Sequence, residues 1–402
     1  MTMKKIRFGL LPRVIAAIAL GVALGGVMPV WGVRIFVTFN ALFGQFLDFA
    51  IPLIIVGLVA PAIADIGRGA GRLLLLTTLL AYTASIAAGF ASYFTGEALF
   101  PTLISSHIEV ETAAEASGLD PYFTVQIPPV MGVMTALVLA FMLGLGMAHL
   151  HGDTMRRAAV EFRDIVTMTI ETVILPLLPI YIFGIFANMT ASGEAFRVLG
   201  VFIKIIGVIF ALHVVWLLAL YGVAGIVARR NPLRMIARMM PAYFTALGTQ
   251  SSAATIPVTL AQTRAMGVSE QIAGFVIPLC ATIHLSGSML KIVACALALM
   301  IMQGMAYDLP LFAGFILMLG ITMVAAPGVP GGAIMAALGI LASMLGFTAE
   351  DQALMISLYV AMDSFGTACN VTGDGALAVI IDTVTASGRR TSIKDDITPV
   401  SY

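Results

Sequence analysis

Apolar runs close to twenty residues long recur from one end of this 402-residue chain to the other. Such a run is what an α-helix needs to cross the hydrocarbon layer of a bilayer, about 30 Å thick. Spans are read at residues 11–30, 43–66, 73–94, 128–150, 165–186 and 199–227, with two interrupted ones at 272–302 and 354–384. With 60% hydrophobic residues, 10% charged ones and a mean hydropathy of +1.03, a water-soluble domain is excluded. No nucleic-acid partner is expected of such a chain; its solvent is the lipid bilayer. The first run follows Lys4, Lys5 and Arg7 in the manner of a signal peptide, but no cleavage site follows it, so it reads as a retained helix. Cys280, Cys295 and Cys369 are too dispersed for a disulfide framework or a metal cluster.

Orientation follows from the basic residues, which mark cytoplasmic connections. They crowd the N-terminus (Lys4, Lys5, Arg7, Arg13), then Arg68 and Arg72, then Arg156, Arg157 and Arg163. Further groups follow at Arg229, Arg230, Arg234 and Arg238, at Arg264, and at Arg389, Arg390 and Lys394. The connection 97–126 has no Lys or Arg but holds Glu97, Glu109, Glu111, Glu115 and Asp120. Eight spans with both termini cytoplasmic satisfy this pattern. Two apolar stretches do not fit as spans. Residues 232–266 begin and end among cytoplasmic arginines around a small polar tip, 248–255, while 309–347 begin and end outside around the Pro/Gly-rich tip 326–332. Both read as re-entrant helical hairpins, tolerable at membrane depth only where buried in protein or lining a cavity. Hairpin–helix followed by hairpin–helix, entered from opposite faces, is an inverted repeat with a binding site near the midplane. The expected fold is therefore an all-α polytopic membrane protein with eight transmembrane helices and two re-entrant hairpins.

The last apolar segment carries Asp363, Thr367, Asn370 and Asp374, which at helical spacing share an arc of roughly 60°. Ionisable groups at such depth are costly and normally handle a solute or an ion; the competing reading is a polar packing face. The seventh span is broken at 282–288, where Gly287 lies between two serines, and Lys291 follows one turn on.

At these residues the chain resembles the dicarboxylate/amino acid:cation symporter family, the glutamate-transporter homologues. The marks are the serine-bearing tip 249–259, the broken-helix stretch 277–288, the second tip 328–331, and Asp363 with the run 370–374. The resemblance implies a homotrimer working as an elevator. Residues 1–72 would hold scaffold helices 1 and 2, 73–96 transport helix 3, 97–190 the outer loop with scaffold helices 4 and 5, and 191–230 transport helix 6. Hairpin 1 would occupy 231–268, the broken helix 269–304, hairpin 2 305–350, helix 8 351–388 and a cytoplasmic tail 389–402. It further implies a bacterial inner-membrane location. Asp363 and Thr367 would hold a substrate α-ammonium, and Asn370, Ser251 and Ser252 its carboxylate. Gln250, Ser288, Gly366, Val329, Pro330 and Gly331 complete the expected substrate wall. Cation binding or coupling falls to Cys280, Thr282, His284, Ser286, Lys291, Asn370 and Asp374, with sodium expected at Asp374 and Asn370.

Three departures from the family pattern shape the expected function. Acidic-substrate members carry an arginine where this chain has Gly366 or Gln250, so a small neutral amino acid is expected. The motif aspartate and asparagine of span 7 are Ser286 and His284, and Thr77, Leu80 and Ala81 align approximately with span-3 sodium ligands. A hard cation wants several oxygen ligands, so one sodium site is expected to be lost. Lys291 stands mid-span as a built-in cation that would take over a sodium ion's electrostatic role beside Asp363 or Asp374, and His284 offers proton coupling. The leading expectation is a cation-coupled amino acid transporter (sodium, proton or both) with no cofactor beyond a coupling ion. Kept beside it are an acidic amino acid or dicarboxylate symporter using Lys291, a sodium-independent exchanger, an ion channel, and an intramembrane serine hydrolase built on His284 with Ser286 or Ser288.

Overall fold

The computed structural model describes residues 10–68, 71–104, 119–193, 195–326 and 330–395. Lys4, Lys5, Arg7, His107, Glu109, Glu111, Glu115 and Val329 lie outside the described residues, as does 396–402 at the end of the expected tail.

The described residues form helices and connections, with no strand among them. In chain order the first seven helices are α1 (Leu10–Gly25), α2 (Val30–Arg68), α3 (Arg72–Leu103), α4 (Val133–His149), α5 (Thr154–Thr169), α6 (Leu175–Ala191) and α7 (Ala195–Ala228). Then come α8 (Pro232–Thr249), α9 (Ser252–Ala265), α10 (Glu270–Ile283), α11 (Ser286–Met302), α12 (Leu309–Val324), α13 (Gly332–Leu345), α14 (Ala349–Ala361) and α15 (Asp363–Asp395).

Local chemistry sets many of these boundaries. Asn231 caps α8 by accepting from the Arg234 N–H at 3.1 Å, with Pro232 pre-set for the first turn. Asp308 does the same for α12 through the Leu311 N–H at 2.8 Å. Thr348 and Asp351 form a reciprocal capping box on α14. Between α5 and α6 the chain takes one π turn, Ile170–Ile174, just ahead of Pro176, whose missing N–H disturbs the regular ladder there. The break between α10 and α11 falls at His284 and Leu285, inside the stretch the sequence marks.

The last segment is interrupted, as expected over 354–384: α14 and α15 meet at Met362 and are bent by 63°. Asp363 is therefore the first residue of α15 rather than a mid-helix one, and the polar stripe runs down α15 from its N-terminus. Twice along the chain a pair of packed helices (α8 with α9, α12 with α13) is followed by a helix interrupted in its course.

Helices α1, α2, α4, α5 and α6 pack mainly on one another, whereas α3 and α7–α11 gather with α15. α12, α13 and α14 bridge the two groups through α2, α1 and α6. α11 is buried from Ser286 to Met300, so it is the axis of the molecule. The outer helices show the reverse: Ile203 and Ile226 on α7 are 71% and 81% exposed, as Val138 on α4 is 66% exposed. Apolar surface on that scale marks lipid contact. α2, α3, the α5–α6 run, α7 and the α10–α11 run are long and apolar enough to cross a membrane, and the bent α14–α15 pair adds a sixth candidate. The chain is an all-helical polytopic membrane protein.

Candidate functional site

α15 and the α10–α11 axis run antiparallel at their polar faces and meet in a ladder. Asp363 faces Lys291, Asn370 faces Gly287 and Ser288, and Asp374 faces His284. Position increases along one partner as it falls along the other. At 1.5 Å rise per residue, eleven residues spread these contacts over roughly 16 Å of helix.

At the upper end Asp363 is 3% exposed and both its oxygens are engaged. Oδ1 accepts from Lys291 Nζ at 3.1 Å, and Oδ2 accepts the backbone N–H of Gly331 at 2.8 Å. Gly331 is in the left-handed region (φ 73°) and caps α13, which has no side-chain cap of its own. The carboxylate therefore stands at two helix N-termini, its own and that of α13, where partial positive charge favours an anion. Gln250, the C-cap of α8 at φ 54°, donates from Nε2 to Ser364 Oγ at 2.9 Å. The tips of both hairpins thus converge on the first two residues of α15.

Lys291 is fully buried, and its ammonium also lies 3.5 Å from the centroid of the Tyr359 ring. Room for it comes from Gly366: a Cβ there would collide with the Lys291 Cε and sit 2.5 Å from Nζ. Gly366, the position at which the resemblance to acidic-substrate members leads one to expect an arginine, is here the notch that admits a lysine from another helix. Removing one member of such a buried pair costs about 3–5 kcal/mol, since the other charge is stranded.

In the middle, Asn370 Oδ1 accepts the Gly287 N–H at 2.7 Å and its Nδ2 donates to Ser288 Oγ at 3.3 Å. Ser288 also pairs with the Tyr359 hydroxyl at 2.9 Å. The Gly287 carbonyl accepts from His213 Nε2 of α7 at 3.1 Å, so the break is braced from both sides. At the lower end His284 Nδ1 donates to Asp374 Oδ1 at 2.8 Å, with both side chains 1% exposed or less. Gly373 provides the notch, since a Cβ on it would sit 2.8 Å from His284 Cε1. His284 Nε2 and Ser286 Oγ are buried without a hydrogen-bond partner.

Of the expected site residues, the structure brings together Gln250, Ser288, Pro330–Gly331, Lys291, Asp363, Gly366, Asn370, His284 and Asp374. Thr367 is buried one turn below Asp363, and Ser252 is buried at the start of α9. Ser251 caps α9 through the Ala254 N–H at 3.3 Å. Thr282 is a correction: it is exposed, and its hydroxyl turns back to the Leu279 carbonyl at 2.8 Å, away from the cluster. Cys280 contributes its carbonyl, which accepts the His284 N–H at 2.9 Å. Thr77 likewise spends its hydroxyl on its own helix, at the Leu73 carbonyl. Ser286 and Ser288 have no bond to His284, so the nucleophile–base pair a hydrolase needs is not assembled. Tyr359 and Ser364 are the participants that sequence reasoning missed. Tyr359 stands four residues before Asp363, a spacing that would have signalled a shared face.

The donor set around Asp374 is poorly matched to sodium. Its nearest partner is an imidazole nitrogen, both polar atoms of the Asn370 side chain are engaged, and the Thr372 carbonyl accepts from the Tyr221 hydroxyl at 2.7 Å. Sodium, a hard cation, prefers a shell of oxygens.

Comparison with known proteins agrees with this architecture. The serine/threonine transporter SstT of Acinetobacter baumannii is 25% identical over 391 residues, covering 94% of this chain and 97% of that protein. Excitatory amino acid transporter 3 of Homo sapiens is 33% identical over 216 residues, 52% of this chain, and that of Mus musculus is 34% identical over the same length. The match covers 40% of the length of the excitatory transporters. A family model described as the sodium:dicarboxylate symporter family matches residues 10–384, nearly the whole chain, and the protein belongs to that family.

Proposed function

We propose that this chain is a secondary active transporter of small neutral amino acids. The observation that carries the reading is the convergence at Asp363. A buried carboxylate at two helix N-termini is touched by Gly331 of one hairpin and neighboured by Gln250 of the other. Such a group suits an α-ammonium, and the adjacent helix N-terminus of α9 at Ser251 and Ser252 suits the α-carboxylate. Gly366 and Gln250 leave no arginine fork for a second carboxylate, which favours neutral substrates, as does the likeness to a protein named a serine/threonine transporter. The dicarboxylate alternative loses ground because the Lys291 ammonium is committed to Asp363.

In this reading α1, α2, α3, α4, α5–α6, α7, α10–α11 and α14–α15 are the eight spans, and α8–α9 and α12–α13 are the re-entrant hairpins. α1, α2, α4, α5 and α6 form the scaffold of a homotrimer in a bacterial inner membrane, both termini cytoplasmic. α3, α7 and the helices from α8 onward form the unit that moves as an elevator. The packing preferences of the helices support that division. Coupling to sodium is reduced, because His284 and Lys291 occupy the carboxylates that would otherwise attract an ion.

The test is a thermal-shift panel of the twenty amino acids on purified protein, with and without sodium at two pH values. A ligand that binds only the folded state at a hundred times its Kd raises stability by about 2.7 kcal/mol. Stabilisation by small neutral amino acids, matched by counterflow in proteoliposomes, is expected with a shallow sodium dependence. A steep sodium requirement with a multi-ion Hill slope overturns the coupling reading, and stabilisation by aspartate or dicarboxylates alone overturns the substrate reading.

A further inference from the structure

Lys291 and a substrate ammonium cannot both occupy Asp363 as charged groups. The carboxylate has two oxygens; one holds Nζ and the other holds the Gly331 N–H. Two like charges about 4 Å apart at an effective dielectric constant of 20 repel by about 4 kcal/mol. Nor can Lys291 retreat. It is fully buried on the all-buried helix α11, and its Cε fills the notch at Gly366. The titratable and charged groups that face it are Asp363 and Cys369 of α15, Tyr359 of α14, Cys295 of its own helix and His213 of α7. Among these Asp363 is the one carboxylate, so no second acid stands ready to receive the ammonium.

We infer that Lys291 is an internal stand-in for the substrate's ammonium, and that amino acid binding exchanges with a proton carried on Lys291. In the empty carrier Nζ–H3⁺ pairs with Asp363. When the substrate ammonium arrives, one N–H bond of Lys291 breaks, the electron pair stays on Nζ as a neutral amine, and the proton leaves to water. The substrate ammonium then takes the place at Asp363, and total charge is conserved. On release of substrate the reverse step restores the internal pair. Because one carboxylate serves the proton-bearing lysine and the substrate in turn, amino acid entering by one route drives a proton out by the other. The Gly331 N–H remains on Oδ2 in either state, so hairpin 2 stays tied to the carboxylate throughout the exchange. This rests on the reading of Asp363 as the ammonium site.

The experiment is isothermal titration of purified full-length protein with L-serine and L-threonine, in phosphate and in Tris buffer at one pH. These buffers differ in ionisation heat, so the difference counts protons released. One proton released per amino acid bound is expected, with affinity rising about tenfold per pH unit while Lys291 is charged in the empty protein. In K291M, and in K291Q as a second variant should the first not fold, release falls to zero and the pH slope flattens. Heats independent of buffer, or proton release that persists in either Lys291 variant, overturn the inference and leave the amino acid site standing. If neither amino acid binds and none of the other eighteen does, the ammonium site and the inference fall together. A variant-free check uses proteoliposomes with a trapped pH dye: amino acid uptake is expected to make the interior alkaline, and no change or acidification overturns the exchange.

Discussion

Two buried pairs, an ammonium with a carboxylate and an imidazole with a carboxylate, join the same two stretches of chain, and they differ in what else touches them. Lys291–Asp363 and His284–Asp374 both bridge the α10–α11 axis and α15, both have almost no exposure, and both sit in a glycine notch on α15. At Asp363 the second oxygen belongs to the hairpin backbone at Gly331, and Ser364 beside it is held by the other hairpin. At Asp374 the surroundings are packed helices, and two polar atoms nearby, His284 Nε2 and Ser286 Oγ, have no partner. The upper pair is tied by hydrogen bonds to the tips between α8 and α9 and between α12 and α13. The lower pair is a sealed substitution with spare hydrogen-bonding capacity. Similar chemistry thus stands in two settings, one joined to both hairpin tips and one enclosed between helices.

The largest effect is expected from breaking the upper pair. D363N strands Lys291 and is expected to cost about 3–5 kcal/mol of stability, besides abolishing stabilisation by any amino acid. Removing both charges in D363N/K291M is expected to return most of the stability and none of the binding, and a double-mutant cycle measured by denaturation in detergent gives the coupling. Persistent ligand stabilisation in D363N would move the ammonium site elsewhere.

The glycine notches sharpen the comparison. In G366A the new methyl group meets the lysine stem directly, and in G373A it meets the imidazole edge at 2.8 Å. Overpacking of this kind costs about 1–3 kcal/mol. Ligand affinity is expected to fall in G366A and to hold in G373A, because in the proposed reading the substrate ammonium meets the upper pair. Equal losses in a binding titration would make the two pairs functionally alike.

How far the sequence disclosed all this depends on the kind of signal. Apolar run length and basic-residue bias made the membrane class and most helices legible, and the polar stripe from Asp363 to Asp374 pointed to the face that matters. The span was read as interrupted, but the place of the bend, at Met362, was hidden, because residues 359–364 contain neither Gly nor Pro to announce it. The partnership of Lys291 with Asp363 had been one of two options, and geometry chose it: α11 and α15 run antiparallel, which puts 291 against 363 and 284 against 374. Gly366 read as a missing arginine; that it also admits Lys291 depends on interhelical distance, which no linear pattern encodes. Thr282 looked like part of the broken-helix motif, yet its position just before the break turns it to the exposed side.

At the lower pair the test is to restore what the family pattern has. H284N/S286D replaces the imidazole with an amide and adds a carboxylate two residues further along the break, giving hard oxygen ligands. Sodium is expected to raise substrate affinity at least about tenfold in the double variant, equivalent to about 1.4 kcal/mol, with little change in the parent. Sodium-blind behaviour in a folded double variant would mean that the missing site lies elsewhere.

The smallest effect concerns how the first hairpin reaches the upper pair. Gln250 holds a left-handed backbone that costs a non-glycine residue about 1–2 kcal/mol, and in return its amide holds Ser364, one hydrogen bond of net value about 0.5–1.5 kcal/mol. Q250A keeps the strain and loses the bond, whereas Q250G loses both. If the tip contributes only to folding, Q250G should be the more stable of the two variants and both should bind amino acid like the parent. If it fixes the N-terminus of α15 for ligand, affinity should fall several-fold in both, whichever melts first. The second outcome is expected, because Ser364 adjoins the carboxylate whose other contacts come from Lys291 and the second hairpin, and a shift there changes the distance both cations must match.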